Sequence, residues 1–150
     1  MTYSPTVFPR GASRPKILIV GEAPGWNEVQ ARLPFVGESG KELSRMLSEA
    51  RIREDECRFT NVLNIQPSNN DFEKQWMFSS HKKAKDSKLP FEYLNGQYIH
   101  PIFLEDIGEV HREIEACDPN IIVPLGNVAL WATTGHWGIT KWRRSELTAR

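Results

Sequence analysis

Cysteine is scarce: the chain has 150 residues and two cysteines, Cys57 and Cys117. Two thiols make neither a disulfide framework nor a four-cysteine metal site, and they suit a reducing compartment. The histidines, at positions 81, 100, 111 and 136, show no metal-ligand spacing. An excess of one charge is also missing, since 19 Lys and Arg balance 19 Asp and Glu. That excludes a polycation coating nucleic acid by bulk charge and requires any such binding to use a local basic patch. Long apolar runs are absent too. The longest, Ile17 to Val20 and Ile121 to Leu125, are strand-sized and far short of a membrane span. The opening stretch Met1-Thr-Tyr-Ser-Pro-Thr lacks the charged-then-apolar layout of a signal peptide. The expectation is a soluble, cytoplasmic protein without membrane contact.

What remains is ordinary globular composition, 39% hydrophobic and 25% charged, at a length that suits one domain. Residues 1–14 carry two prolines and a glycine without periodicity and read as an irregular lead-in. Lys16-Ile17-Leu18-Ile19-Val20-Gly21 reads as a strand buried on both faces, followed by a loop at Glu22-Ala23-Pro24-Gly25. Ser39 and Glu42 have capping-box spacing. Leu43, Met46, Leu47 and Ala50 then mark one face of a helix ending near Ile52. Arg58 to Leu63 reads as a second strand, running out into Gln66-Pro67-Ser68-Asn69-Asn70.

Residues 71–100 form an insertion-like segment with Trp76, Phe78, Phe91, Tyr93 and Tyr98. It holds four lysines against one aspartate between 82 and 88, either a solvated loop or a phosphate-contacting loop with Trp76 or Phe78 stacking a base. A helical period returns from Leu104 through Ile114 and stops at Asp118-Pro119. Ile121 to Leu125 reads as a third buried strand, and Asn127 to Thr133 as a helix closed by Gly135. Alternation of this kind predicts a single three-layer α/β/α domain over 1–150 with a short, mainly parallel sheet. Ligands of such sheets bind beyond the carboxyl ends of the strands.

Three segments converge there. Glu22 and Glu28 flank a Pro-Gly loop, Phe35 sits between Pro34 and Gly37, and Asn61 lies at a strand end. A carboxylate can hold a water, an aromatic face can stack a flat ring, and an amide can pair with the edge of a nucleobase. The Gly-Glu-Ala-Pro-Gly loop matches neither G-x-x-x-x-G-K-[ST] nor G-x-G-x-x-G, which argues against nucleoside triphosphates and dinucleotides.

Gly21-Glu22-Ala23-Pro24-Gly25, with Glu28 and Pro34-Phe35-Val36-Gly37-x-x-Gly40, resembles the first motif of the uracil-DNA glycosylase superfamily, in particular its family-4 branch and phage-like relatives. Thr60-Asn61-Val62 with Pro67 and Asn70 resembles the second motif. Ile121 to Gly126 with Ala129, then Ile139-Thr140-Lys141, resembles the later strand and helix. The similarity spans roughly 16–68 and 104–142.

The resemblance implies an enzyme that flips uracil, a deaminated cytosine, out of single- or double-stranded DNA and hydrolyses its N-glycosidic bond, in DNA repair or viral DNA metabolism. Glu22, Glu28 and Asn61 would be catalytic. Ala23, Pro24, Gly25, Phe35, Asn61 and Asn70 would bind substrate. The host cell would be bacterial or virus-infected.

Family-4 members hold an iron–sulfur cluster on four cysteines. Here the lead-in lacks C-x-x-C and Ile65 stands at a ligand position, so no cluster or other cofactor is expected, and Cys57 and Cys117 read as small buried hydrophobes. The family's closing His-Pro motif should lie beyond Ile139-Thr140-Lys141, and none follows them up to Arg150. The chain is therefore expected to be truncated, half of a split protein, or a relative without that motif, with an exposed sheet edge and self-association or a completing chain. Catalysis by this chain alone stays open, as does a non-catalytic module that binds DNA or protein, or a glycosylase for another modified base.

Overall fold

In the computed structural model, which describes residues 6–67, 77–143 and 145–147, the apolar run at 17–20 lies inside a four-stranded sheet. The sheet consists of β1 (Arg10–Gly11), β2 (Ile17–Gly21), β3 (Cys57–Asn61) and β7 (Ile121–Pro124), in the order β1-β3-β2-β7. β2 runs parallel to both neighbours, from Ile17 opposite Cys57 to Gly21 opposite Asn61, while β1 is antiparallel to β3. The mainly parallel α/β architecture expected from the sequence is present.

Alternation along β2 divides the core. Ile19 joins Phe59 and Cys57 under Leu43 and Leu47 of α2 (Glu38–Glu49). Leu18 and Val20 face the opposite way. They meet Phe103, Ile107 and Val110 of α4 (Pro101–Cys117) and Val128 and Trp131 of α5 (Asn127–Thr134). A short α1 (Trp26–Ala31) precedes α2, and α6 (Ile139–Trp142) follows α5. Burying both faces of β2 is what its uninterrupted apolar sequence demands. No helix among the described residues is long and apolar enough to cross a membrane.

Several expectations need correction. The lead-in is not wholly irregular, because Arg10 and Gly11 pair with β3. The third strand is not buried on both faces. Among the described residues β7 pairs with β2 alone, and Ile121 is 57% exposed. Ser39 does not cap α2: Gly37 is the N-cap, and Glu42 pairs with Arg45 instead. The helix closes at Glu49 rather than near Ile52.

The 82–88 run is no loop. Ser80 Oγ accepts from the Lys83 N–H at 3.3 Å and opens α3 (His81–Asp86), whose one buried residue is Ala84. Around it β4 (Met77–Phe78), β5 (Glu92–Leu94) and β6 (Gln97–Ile99) form a second, antiparallel sheet in the order β4-β6-β5. Asn95 and Gly96 both have positive φ, as a two-residue hairpin turn requires. The Trp131 indole donates to the Asn95 carbonyl at 3.0 Å and ties this hairpin to α5.

Candidate active site

The carboxyl ends of β2 and β3 open into a cavity of about 390 Å³. Glu22, Ala23, Pro24, Gly25, Glu28, Phe35 and Asn61 all line it, together with Trp26, Asn27, Gly37, the first residues of α2 and Pro67. The structure thus brings together every site residue expected from the sequence except Asn70, which lies outside the described residues, as does Trp76.

Asn61 ends β3 and is only 6% exposed. No side-chain hydrogen bond holds its amide among the described residues, and no buried side-chain N or O atom there lacks both solvent and a partner. The amide therefore opens into the cavity with its donors and acceptor available. A buried amide left so is costly unless something else satisfies it.

Phe35 meets Asn61 over Gly21. A Cβ on Gly21 would come within 2.5 Å of Asn61 Oδ1 and 2.7 Å of Phe35 Cζ. Glycine there lets ring and amide share one corner of the cavity. Phe35 adopts a left-handed backbone with φ 57°, costly for a bulky side chain and sustained only by its surroundings. Those surroundings are identifiable. Its carbonyl lies against Gly40, where a Cβ would sit 2.0 Å from the oxygen. Arg10 donates to the carbonyls of Pro34 at 2.8 Å and Phe35 at 3.4 Å, and its guanidinium lies 4.2 Å from the centre of the Phe59 ring. Phe59 in turn packs on Phe35 with ring centroids 6.0 Å apart. Arg10 is a supporting residue that no local sequence signal marks, because its partners are 24 and 25 residues away.

Glu28 stands apart from Glu22 in what its oxygens do. One accepts from the Gly25 N–H at 3.1 Å; the other accepts from Val36 at 3.0 Å and Gly37 at 2.5 Å. The carboxylate fastens the Pro-Gly loop to the start of α2. The sequence reading gave it a share in positioning water and shaping the pocket; here it accepts from three backbone donors and braces the cavity wall. Glu22 lines the cavity at partial exposure. Trp26, 65% exposed at the rim, was not singled out from the sequence.

The thiols lie elsewhere. Cys57 starts β3, at the end of the strand away from the cavity, and Cys117 ends α4; both are buried. Burial, then the acidic residues 54–56, pushes the Cys57 thiol up; burial, then Glu113, does the same for Cys117. Two protonated thiols do not fit the four thiolates an iron–sulfur cluster takes, and no cluster of three or more potential metal ligands exists among the described residues.

Known proteins resemble this chain over most of its length. The profile of the uracil DNA glycosylase superfamily matches residues 8–148. A type-4 uracil-DNA glycosylase of Archaeoglobus fulgidus is 33% identical over 120 residues, 79% of this chain and 47% of that protein. Type-4 uracil-DNA glycosylases of Pyrobaculum aerophilum and Thermotoga maritima are 44% and 40% identical over 54 and 55 residues, covering 36% and 37% of this chain and 28% and 29% of theirs. The chain spans about half the length of the Archaeoglobus relative and less of the others it matches. With the profile covering nearly all of it, the chain belongs to the uracil-DNA glycosylase superfamily.

Proposed function

We propose that this protein excises uracil from DNA in the cytoplasm. The target nucleotide leaves the base stack, because its glycosidic bond is out of reach inside a duplex. The uracil enters the cavity at the ends of β2 and β3 and lies against Phe35. Asn61 offers an N–H to a uracil carbonyl and accepts from the ring N–H, a pairing that cytosine does not satisfy. The Asn61 amide, buried at the end of β3, lining the cavity and without a side-chain partner among the described residues, is the observation that carries this reading.

Hydrolysis then needs three things from these residues. Glu22 holds a water and takes its proton as the water oxygen bonds to C1′ of the sugar. The electron pair of the breaking C1′–N bond leaves on uracil, and the proton follows to the uracil anion. Asn61, already fixed, stabilises the charge developing on that anion, typically the largest single contribution in such a site. Glu28 acts as a positioning residue. Trp26 at the rim and the lysines of α3 contact the rest of the DNA by stacking and phosphate charge. No cluster or cofactor takes part in this scheme.

A second reading follows from the outer edge of β7, which is uncovered among the described residues. The chain would bind a flipped base without cleaving, or act once the edge of β7 is completed by another strand, from a second copy or a partner chain.

Uracil release from single-stranded uracil-containing DNA separates these. Release that falls by on the order of 10²–10³ in both Asn61→Ala and Phe35→Ala supports the enzyme. DNA binding without release supports the module. Neither binding nor release overturns both.

A further inference from the structure

A second cavity, of about 580 Å³, lies between the small sheet, α3 and the segment after α5. Its volume falls within the roughly 300–1,000 Å³ typical of small-molecule sites. Phe78 and Trp137 wall it, Lys83 and Asp86 of α3 border it, and Gln97 of β6 opens into it. Gln97 is 8% exposed, and its side chain has no hydrogen-bond partner among the described residues. A nine-tenths-buried amide facing a cavity with aromatic walls repeats, in another part of the fold, the chemistry that Asn61 and Phe35 present in the first.

One apolar cluster lies beneath both cavities. The Ile139 N–H donates to Asn127 Oδ1 at 2.7 Å, which returns the segment carrying Trp137 to the start of α5, just past the carboxyl end of β7. Ala23 of the first cavity and Met77 and Trp137 of the second pack on one apolar cluster with Val62 and Leu63.

We propose that the second cavity binds a nucleotide, its base edge on the Gln97 amide, its ring against Phe78 and Trp137, and its phosphate near Lys83. The choice of a nucleotide rests on the uracil-excision reading; the cavity and its amide do not. The nucleotide is either free or a unit of the DNA strand flanking the flipped base.

Isotope-labelled protein is titrated with thymidine 5′-monophosphate and with a short uracil-free oligothymidylate, and the Gln97 side-chain amide and Trp137 indole signals are followed by NMR. Saturable shifts at both residues are expected in the unmodified protein, and in Gln97→Leu the Trp137 indole should report an affinity weakened about tenfold. Shifts with the oligonucleotide alone place the cavity on the DNA path; shifts with the mononucleotide as well make it a free-nucleotide site. In Lys83→Ala the salt dependence of oligonucleotide binding should lose a slope of roughly 0.7. No shift at Gln97 with either probe at millimolar concentration, or shifts that Gln97→Leu leaves unchanged, would overturn the proposal. Asn61 signals and uracil release report on the first cavity separately, so a failure there is distinguishable from a failure here.

Discussion

Gly21 and Gly40 are both denied a side chain by Phe35, with different consequences. At Gly21 an added methyl meets two side-chain ends, Asn61 Oδ1 and Phe35 Cζ. Both can swing aside, so Gly21→Ala should cost no more than about 1–2 kcal/mol of stability. It should nonetheless weaken uracil binding by at least about tenfold, since ring and amide can no longer occupy the same corner. Gly40→Ala meets backbone instead, the Phe35 carbonyl at 2.0 Å and 2.2 Å. Backbone cannot swing, so this variant should lose about 3 kcal/mol or more, at the upper end of overpacking costs. Chemical denaturation beside uracil titration reads both, and equal stability losses would refute the distinction. Glu28→Gln gives the complementary test. It replaces one of the two accepting oxygens with an amide NH2, a donor set against backbone donors. Hydrogen bonds to charged groups contribute about 1.5–3 kcal/mol each, and neighbours within one loop are not additive. The melting temperature should fall by about 4–8 °C, and an unchanged value would mean that the loop holds itself.

Among the elements, α4 carries a group whose ionisation works against the fold. Burial, with Glu109 and Glu105 adding repulsion, raises the Asp106 carboxyl from 3.8 to about 6. Below 3.8 the group is neutral in both the folded and unfolded chain and carries no penalty. Between 3.8 and about 6 the unfolded chain releases the proton first, so stability falls as pH rises through this window and the loss is complete above it. Asp106→Asn should therefore raise the melting temperature at pH 8 by about 2–4 °C, taking roughly 1 kcal/mol after solvent screening. The gain should vanish by about pH 4, and a pH-independent gain would point away from ionisation.

The elements also differ in how far the sequence reveals them. β2 was legible because a strand covered on both faces carries nearly continuous apolar residues. α1 was not, because it offers one buried residue, Val29, and no period. α3 was hidden for the same reason, its basic surface covering a single buried alanine. Asn95-Gly96 is a two-residue hairpin signal that the reading of 71–100 did not use. In the site, Asn61 and the Pro-Gly loop were readable because strand ends of a parallel sheet converge. The support from Arg10 and the bracing by Glu28 depend on tertiary approach and leave no spacing to read.

For the molecule as a whole, the sheet is asymmetric. β1 covers one side of β3 with two antiparallel residues, whereas β7 offers its outer edge uncovered among the described residues. Pro124 sits in that edge strand, a position where proline costs no ladder hydrogen bond on its open side, and it shortens the stretch another strand could join. Ile121 to Val123 remain, with Ile121 57% exposed. An apolar edge of that kind recruits a strand from another chain unless charge or a bulge blunts it. The chain should therefore self-associate as its concentration rises, and Ile121→Lys should return it to monomer by placing a charge at the joining edge. Sedimentation equilibrium of both proteins decides this. A monomer at every concentration in the unmodified chain would refute self-association through this edge, and completion of β7 by a second copy would fall with it.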